Sequence, residues 1–317
     1  MTQPTSVAVL SGGISLERDV SLRSGRRVAD ALTDVGYQVT RLDVDADLVP
    51  TLERGGFDLA FLALHGAAGE DGTIQSLLEL IGLPYTGPDV LASSLAWNKP
   101  IAQGLYARAG LQVPDRVTLS QLAFREMGAA AAVEHVADAL GSPLVVKPAT
   151  GGSALGLTIV DDPSQLPEAI VGAFSYADSV LVEQFVHGTE IAVTVLDGQP
   201  LPAVEIHPKE GAYDFAARYT AGATEFHAPA RLDPQVRDAC EATALTAVDA
   251  IGARHVSRAD LIVDADGRPW LLELDTCPGL TDTSLTPLAA DAAELGFTEL
   301  CERLASLALR DTARGGA

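Results

Sequence analysis

The first hundred residues alternate short apolar runs with helix-like segments, as strands alternate with helices around a parallel sheet. The apolar runs lie at residues 7–10, 37–42 and 59–64. Between the first two runs, apolar residues recur at the i, i+3, i+4, i+7 spacing of a helix over residues 16–35; these are Val28, Ala31, Leu32 and Val35. The alternation predicts an α/β fold whose ligand site lies at the carboxyl ends of the strands.

The rest of the chain mixes helical segments with hairpins. Helices are predicted over residues 127–140 and 234–251, and strands over 143–148, 155–160, 190–196 and 201–206. We expect three domains, which cover residues 1–96, 97–181 and 182–317.

Near the C-terminus, two strands carry charged side chains where apolar ones are usual. The arms, residues 255–264 and 270–275, flank Asp266 and Gly267, a dipeptide favoured in tight hairpins. The strand period of two places Arg258 with Asp260 on one side of the first arm. The same period places Glu273 with Asp275 on one side of the second arm.

The register of this hairpin is not determined by its sequence. If the two polar faces coincide, the carboxylates of Asp260, Glu273 and Asp275 converge and need cations to neutralise them. No Cys or His accompanies them, and an all-oxygen set fits Mg²⁺ better than Zn²⁺. The alternative is an exposed strand face with ordinary surface charge.

Lysine is rare in this chain. Of 21 basic residues, Lys99, Lys147 and Lys209 are the lysines. Lys147 ends an apolar run, and a glycine-rich stretch, residues 151–156, follows at once. A strand-end lysine beside such a loop suits a polyphosphate, although a glycine run alone is as readily an ordinary loop. Neither the Walker spacing nor the Gly-x-Gly-x-x-Gly dinucleotide motif is present.

Composition narrows the class of protein. A chain of 317 residues with 47% hydrophobic content can bury more than one core. No apolar run is long enough to span a membrane and no basic region precedes the first strand, so we predict a cytoplasmic protein. The net charge of -22 argues against a nucleic-acid partner. The cysteines Cys240, Cys277 and Cys301 have no paired spacing and are expected to be reduced.

Ten short motifs, in order and nearly from end to end, resemble the D-alanine:D-alanine ligases of the ATP-grasp superfamily. They are residues 12–21 (GGISLERDVS), 65–73 (HGAAGEDGT), 84–87 (PYTG), 145–148 (VVKP), 152–156 (GSALG), 183–190 (EQFVHGTE), 213–219 (YDFAARY), 258–260 (RAD), 272–275 (LELD) and 278–285 (PGLTDTSL).

The resemblance implies an ATP-grasp fold, α+β in its ATP-binding part, behind a Rossmann-like N-terminal domain. ATP would lie between the second and third domains. The implied reaction joins two D-alanines through an acylphosphate to give D-alanyl-D-alanine for peptidoglycan synthesis. The family also implies two Mg²⁺ ions, replaceable by Mn²⁺, and a homodimer, and leaves open whether a monovalent cation is needed.

For the nucleotide, the resemblance implies roles for residues of the second and third predicted domains. Lys99, Lys147 and Arg218 would contact the phosphates, and Gly152, Ser153, Ala154 and Gly156 would cover them. The adenine pocket would comprise Glu183, Gln184, Phe185 and Val186, with Glu190 on the ribose. Asp260, Glu273 and Asp275 would hold the metal ions.

For the amino acids, the resemblance implies a second set of residues. Substrate would contact Glu17, His65, Tyr219, Arg258, Gly279, Ser284 and Leu285, with Arg258 on the oxyanion. His65 and its glycine could also be a capped turn. Glu17, Ser153 and Tyr219 correspond to a hydrogen-bonded trio, and the tyrosine favours an amide over an ester product. Residues 207–222 correspond to a lid.

Some positions depart from the family pattern. Asp275 stands where asparagine is usual, Arg218 where lysine is usual, and Phe215 where tyrosine is frequent. Two alternatives therefore remain open. One is a ligase that joins other amino acids, and the other is a nucleotide-binding relative without turnover.

Overall fold

Three β-sheets, each formed by a separate stretch of the chain, carry the structure. The computed structural model describes residues 4–126, 128–220 and 222–315, without the side chains of 129–132, 219 and 312–315. The predicted residues Met127 and the side chain of Tyr219 therefore lie outside the described part.

The first sheet is parallel, as the alternation of strands and helices predicted. Its strands are ordered β2-β1-β3. The elements are β1 (Ser6–Ser11), α1 (Arg18–Asp34), β2 (Gln38–Asp43), α2 (Leu48–Gly55), β3 (Leu59–Leu62), α3 (Ala67–Glu70), α4 (Thr73–Leu80) and α5 (Val90–Trp97). The loops that follow β1 and β3 at the carboxyl edge of the sheet carry Glu17 and His65.

The second sheet is antiparallel, with strand order β4-β7-β5-β6. Its elements are α6 (Lys99–Arg108), β4 (Arg116–Ser120), α7 (Gln121–Glu126), α8 (Ala129–Leu140), β5 (Leu144–Pro148), β6 (Thr158–Val160), α9 (Leu166–Ala173) and β7 (Ser179–Gln184). Strand β6 is shorter than the predicted 155–160 because the glycine-rich loop turns until Leu157, whose N–H donates to the carbonyl of Ala154. Strand β7 continues past residue 181, where the domain boundary was predicted, and the boundaries stay a prediction.

The third sheet is also antiparallel, with order β11-β10-β8-β12-β13 and β9 paired to β8. Its elements are β8 (Thr189–Leu196), β9 (Gln199–Pro200), β10 (Val204–Pro208), α10 (Phe215–Tyr219), β11 (Thr224–His227), α11 (Pro234–Ile251), β12 (Val256–Val263), β13 (Pro269–Asp275), α12 (Leu285–Ala292) and α13 (Phe297–Gly315). The strand predicted over 201–206 begins too early, because residues 201–203 lie between β9 and β10. Pro202 in this gap has no N–H for the ladder.

The hairpin of β12 and β13 has the register in which the two polar faces coincide. Arg258 pairs with Asp275 and Asp260 with Glu273, and a β-bulge follows Asp260. Arg258 and Asp260 are 7% and 3% exposed, so the alternative of an exposed charged face is wrong. The opposite face of these strands is apolar and packs against α11.

One hydrophobic cluster joins the first and third sheets. Val9 and Val28 of the first unit pack in the same cluster as Leu196 of β8 and Leu304 of α13. The N-terminal sheet is therefore held against the unit that carries the charged hairpin. The three cysteines are free thiols, as expected. Among the residues described, no helix is both long and apolar enough to cross a membrane.

Candidate active site

Two cavities meet at the face of the charged hairpin. The larger, about 570 Å³, lies between the second and third sheets, and the smaller, about 80 Å³, lies against the first unit. They share six lining residues: Lys99, Gly151, Gly152, Tyr213, Arg218 and Glu273. Molecules in the two cavities would therefore be neighbours, separated by these shared residues.

A buried ion pair forms one wall of the larger cavity. Lys147 at the end of β5 lies 2.7 Å from the carboxylate of Glu183 on the neighbouring β7. The amide of Gln103 donates a second hydrogen bond to that carboxylate. A cation fixed in a largely buried position is suited to bind an anionic ligand, because the low local dielectric strengthens the attraction.

The predicted nucleotide residues are brought together by this cavity, with two exceptions, of which Ser153 lines the smaller cavity instead. Its lining includes Lys99, Lys147, Gly152, Ala154, Glu183, Gln184, Phe185, Val186, Glu190 and Arg218. Gly156 is in the lining of neither described cavity. A side chain at Gly156 would collide with Tyr176 and Pro148, so a glycine is needed here for the loop to pack against these two residues.

The glycine-rich loop is held in an uncommon backbone conformation. Ser153 and Ala154 have φ of 52° and 55°, in the left-handed region, and the N–H of Leu155 closes the turn on the carbonyl of Gly152. Left-handed backbone costs an L-residue about 1–2 kcal/mol, so other contacts must hold the loop. One such contact is a hydrogen bond from the Ser153 hydroxyl to the carboxylate of Glu17.

Glu17 and Ser153 thus join the first unit to the loop, as two members of the predicted trio. Burial raises the pKa of Glu17, although the bond from Ser153 opposes the change. The side chain of the third member, Tyr219, is outside the described part of the chain, so its place in the trio stays a prediction.

The three carboxylates on the polar face of the hairpin, Asp260, Glu273 and Asp275, are each paired with a side-chain cation. Arg258 binds Asp260 through two hydrogen bonds, of 2.6 and 2.8 Å, and its remaining nitrogen lies 3.0 Å from Asp275. Lys99 lies 3.1 Å from Glu273. The pKa of Glu273 is low, because Lys99 and Lys147 outweigh the effect of burial. The pKa of Asp275 is raised by burial in spite of Arg258.

These carboxylates match the hard oxygen donors that Mg²⁺ prefers, and Asp260 and Glu273 face each other across the hairpin. The residue types therefore fit a magnesium site. In the described residues, however, no three acidic, histidine or cysteine side chains are arranged around one point as a metal site. The lysine and arginine side chains neutralise the carboxylates in this arrangement instead.

Arg218 lies at the junction of the two cavities. Its guanidinium stacks 4.3 Å from the ring centroid of Tyr213 and donates to the carbonyl of that residue. Glu190 lies 3.9 Å away, and burial raises the pKa of Glu190 to about 7 although Arg218 lowers it in part. A planar guanidinium stacks on an aromatic ring in a way that a lysine ammonium cannot, so the departure from lysine is accommodated by Tyr213.

His65 has both ring nitrogens engaged within the protein. Nδ1 lies 3.1 Å from the carbonyl oxygen of Cys277, and Nε2 lies 2.9 Å from the hydroxyl of Ser24. Since a carbonyl only accepts, Nδ1 carries the proton and Nε2 accepts from Ser24. Burial lowers the pKa of His65 to about 4. The imidazole lines the smaller cavity as a neutral group that supports the segment after β13.

The segment after β13, residues 276–284, completes the smaller cavity. Gly279, Ser284 and Leu285 line it, together with Glu17, His65 and Arg258. The Ser284 hydroxyl accepts from the N–H of Thr281 at 3.0 Å, and helix α12 begins at the next residue. The free N–H groups at a helix N-terminus attract a carboxylate.

Several residues at these cavities were missed from the sequence. Glu70 lines the smaller cavity, its carboxylate accepts from the N–H of Gly66, and burial raises its pKa well above the usual value. Gln103 holds Glu183, and Ser24 holds His65. Glu70 lies inside one of the family-like motifs, which could have signalled it. Gln103 and Ser24 are ordinary helix residues with no signal in spacing or composition.

Comparisons with known proteins agree with this geometry. The family model for the D-ala D-ala ligase C-terminus matches residues 105–306, and that for the N-terminus matches residues 49–88. The chain is 44% identical over 310 residues to a D-alanine–D-alanine ligase of Syntrophotalea carbinolica, covering 97% of this chain and 98% of the relative.

Solved structures show the same fold. The D-alanine–D-alanine ligase of Bacillus anthracis complexed with ATP superimposes with a TM-score of 0.85 at 29% identity, covering 99% of this chain and 100% of that one. The VanG D-Ala:D-Ser ligase of Enterococcus faecalis superimposes with a TM-score of 0.82 at 28% identity, covering 96% of this chain and 99% of that one.

Two antiparallel sheets on either side of a large cavity, behind a parallel-sheet unit, define the ATP-grasp class of ligases. The predicted fold class is thereby confirmed. Within that class, the chain belongs to the D-alanine–D-alanine ligase family.

Proposed function

We propose that this chain uses ATP to join two D-alanines into D-alanyl-D-alanine, a precursor of peptidoglycan. One observation supports it above the others. The larger cavity, with its buried Lys147, adjoins the smaller one, with Arg258 and the α12 N-terminus, across the shared residues Lys99 and Arg218. A phosphate donor and a small amino acid could therefore meet at one place.

The proposed chemistry has two steps. The carboxylate of the first D-alanine attacks the γ-phosphorus of ATP, which gives an acylphosphate and ADP. The amine of the second D-alanine then attacks the acyl carbon, and the tetrahedral intermediate releases phosphate and leaves the amide. Catalysis of such a phosphoryl transfer depends mainly on positioning and charge neutralisation.

In this proposal, side-chain cations hold the phosphates of ATP. Lys99, Lys147 and Arg218 would contact the phosphates, and the loop of Gly152, Ser153 and Ala154 would cover them. The adenine would lie against Glu183, Gln184, Phe185 and Val186, and the ribose against Glu190. Asp260, Glu273 and Asp275 would hold Mg²⁺, which would neutralise phosphate charge.

The amino acids would occupy the smaller cavity. Arg258 would stabilise the negative oxygen of the tetrahedral intermediate, as a preorganised cation does. Ser284 and the N–H of Leu285 would bind the carboxylate of the second D-alanine, and Glu17 would bind its ammonium group. Exclusion of water under the loop and the lid would protect the acylphosphate from hydrolysis.

A cytoplasmic location, a homodimer and the use of Mg²⁺ or Mn²⁺ are part of this proposal, on the strength of the family alone. The choice of D-alanine as acceptor is supported by the match to the D-ala D-ala ligase family models and by 44% identity to a D-alanine–D-alanine ligase.

The test is phosphate release from ATP and Mg²⁺ with D-alanine, D-serine, D-lactate or L-alanine, and identification of the products by mass. We expect release that depends on D-alanine and yields the dipeptide mass. Phosphate release that requires a different pair of substrates would show that the protein is a ligase with another acceptor. Binding of ATP without any phosphate release would show that the protein is a relative of these ligases that has lost turnover.

Replacement of Lys147 tests the nucleotide site. We expect Lys147→Ala to abolish turnover, because the phosphates lose a fixed cation, while the circular dichroism spectrum is unchanged. The control is Arg54→Ala, which removes an exposed cation that lines neither of the two cavities, and it should keep wild-type activity. Near-normal turnover in Lys147→Ala would contradict the assignment.

A further inference from the structure

The backbone of one residue in the segment after β13, Leu280, is held by the first helix of the chain. The N–H of Leu280 donates to the hydroxyl of Ser24 at 3.3 Å, and the carbonyl of Leu280 accepts from the guanidinium of Arg27 at 3.0 Å. Ser24 and Arg27 lie three residues apart on one face of α1. Two neighbouring side chains thus fix both polar groups of Leu280.

Arg27 is itself fixed in place. Its guanidinium carbon lies 3.7 Å from the centroid of the Phe297 ring at the start of α13, and its Nε lies 2.8 Å from the carboxylate of Asp282. The Arg27 side chain is 27% exposed. A guanidinium with one face on a ring and its edge on two acceptors has little freedom to rotate.

Leu280 is close in the chain to the groups proposed to bind the acceptor amino acid. Gly279 precedes it and Ser284 follows it by four residues. Between them, Thr281 bonds to the Ser284 hydroxyl through both its N–H and its own hydroxyl, at 3.0 and 2.8 Å. A displacement of Leu280 would therefore be passed to Ser284 and to the first turn of α12.

We propose that Arg27 is a positioning residue for the acceptor amino acid, because it fixes the Leu280 carbonyl and so places Ser284 and the N-terminus of α12. This inference rests on the proposed function and concerns the second substrate alone. The nucleotide cavity is formed by other segments, and Arg27 is not among its lining residues.

The contact with Asp282 does not account for the role of Arg27. The Asp282 side chain is 87% exposed, and an ion pair with so exposed a partner contributes little to stability. The hydrogen bond to the Leu280 carbonyl and the stacking on Phe297 are the contacts that fix position. We therefore expect substitution of Arg27 to affect acceptor use more than folding.

The experiment compares Arg27→Ala with Arg26→Ala, a matched control one residue away on the exposed side of α1. For each variant, KM for ATP, KM for each of the two D-alanines, kcat and the ratio of phosphate to dipeptide are measured. Excess phosphate reports acylphosphate that water has hydrolysed because the acceptor was absent or misplaced.

For Arg27→Ala we expect KM for the second D-alanine to rise about tenfold or more, because a small misplacement near a reacting centre has a large effect. KM for ATP should stay within about twofold of wild type. The phosphate to dipeptide ratio should rise above one. Arg26→Ala should match the wild type. Equal acceptor KM and equal ratio in both variants would overturn the proposal.

Arg27→Lys keeps the experiment decisive if Arg27→Ala does not fold. A lysine can reach one acceptor but cannot also stack as a planar group, so it should raise acceptor KM by a smaller factor and keep the melting temperature. An unchanged acceptor KM in a folded Arg27→Lys would also overturn the proposal. A wild type without D-alanine-dependent phosphate release would instead contradict the proposed function.

Discussion

The protonation state of single residues determines what the smaller cavity can do. His65 donates through Nδ1 to the Cys277 carbonyl and accepts at Nε2 from Ser24, so neither nitrogen is free to take a proton from a substrate. The sequence predicted a substrate contact at this histidine or a capped turn. The structure adds a third role, which is to orient the segment after β13.

The pH dependence of stability reports this state of His65. The pKa of His65 is about 4 in the folded chain and 6.5 in an unfolded one, so the unfolded state binds the proton more tightly. The contribution of neutral His65 to the free energy of unfolding is complete above pH 6.5 and should fall by about 3 kcal/mol by pH 4. His65→Asn can make similar hydrogen bonds without titrating.

Urea unfolding of the wild type and His65→Asn at several pH values checks this expectation. From pH 7 to pH 4, the free energy of unfolding of the wild type should fall by about 3 kcal/mol more than that of His65→Asn. The other titrating groups are the same in both proteins, so their effects cancel in this comparison. A difference that does not change with pH would show that His65 is not held neutral by burial.

At this scale, the sequence identified charged residues better than their partners. Lys147 could be singled out because lysine is rare and because it ends an apolar run. Its partner Glu183 is on another strand and Gln103 is on a helix, and pairing of this kind follows from the tertiary fold alone. The same is true of Arg27 and Leu280, which are 253 residues apart.

At the scale of elements, the charged hairpin shows which features can be predicted from a sequence pattern and which cannot. The Asp-Gly turn and the period of two predicted both arms and the faces of the charged side chains. They misplaced Leu271, which the bulge turns into the apolar core. The register remained open because either pairing of the faces satisfies the turn. It is determined by the bulge after Asp260 and by packing of the apolar face on α11, neither of which has a local signal.

The loops after the parallel strands depend on glycine for a steric reason that can be tested. Gly66 has φ of 82° and ψ of -168°, and a Cβ there would lie 2.1 Å from the Ser15 hydroxyl and 2.9 Å from the Glu17 carboxylate. Gly141 has a similar backbone, with φ of 74° and ψ of -152°, and a Cβ there would meet no atom within 4 Å.

We expect Gly141→Ala to lose about 1–3 kcal/mol of stability, because it forces alanine into a backbone region that glycine favours, and Gly66→Ala to lose at least as much, because its Cβ also collides with Ser15 and Glu17. Only Gly66→Ala should also lose most of its turnover, because its methyl group displaces Glu17. Thermal melts and phosphate release measure the two effects. Equal activities in the two variants would contradict the steric role of Gly66.

At the scale of the whole molecule, the cavities differ in what they can admit. The smaller cavity, about 80 Å³, is too small for two amino acids, and the guanidinium of Arg258 within it is taken up by Asp260 and Asp275. The larger, about 570 Å³, is open to a nucleotide. We therefore expect the nucleotide to bind before the amino acids.

Calorimetric titration with D-alanine tests this order. We expect no measurable binding to the free chain and binding at least about tenfold tighter once a non-hydrolysable ATP analogue and Mg²⁺ are present, within the usual range of coupling between sites. L-Alanine serves as the control ligand. Tight binding of two D-alanines to the free chain would contradict the expectation.

The scarcity of lysine has a practical consequence for chemical labelling. The side chains of Lys99 and Lys147 are largely buried at the cavities, whereas Lys209 is exposed at the start of the predicted lid. An amine-directed fluorophore would therefore have one readily accessible side-chain target. The natural sequence already provides an attachment point at which the behaviour of the lid could be followed by fluorescence during turnover.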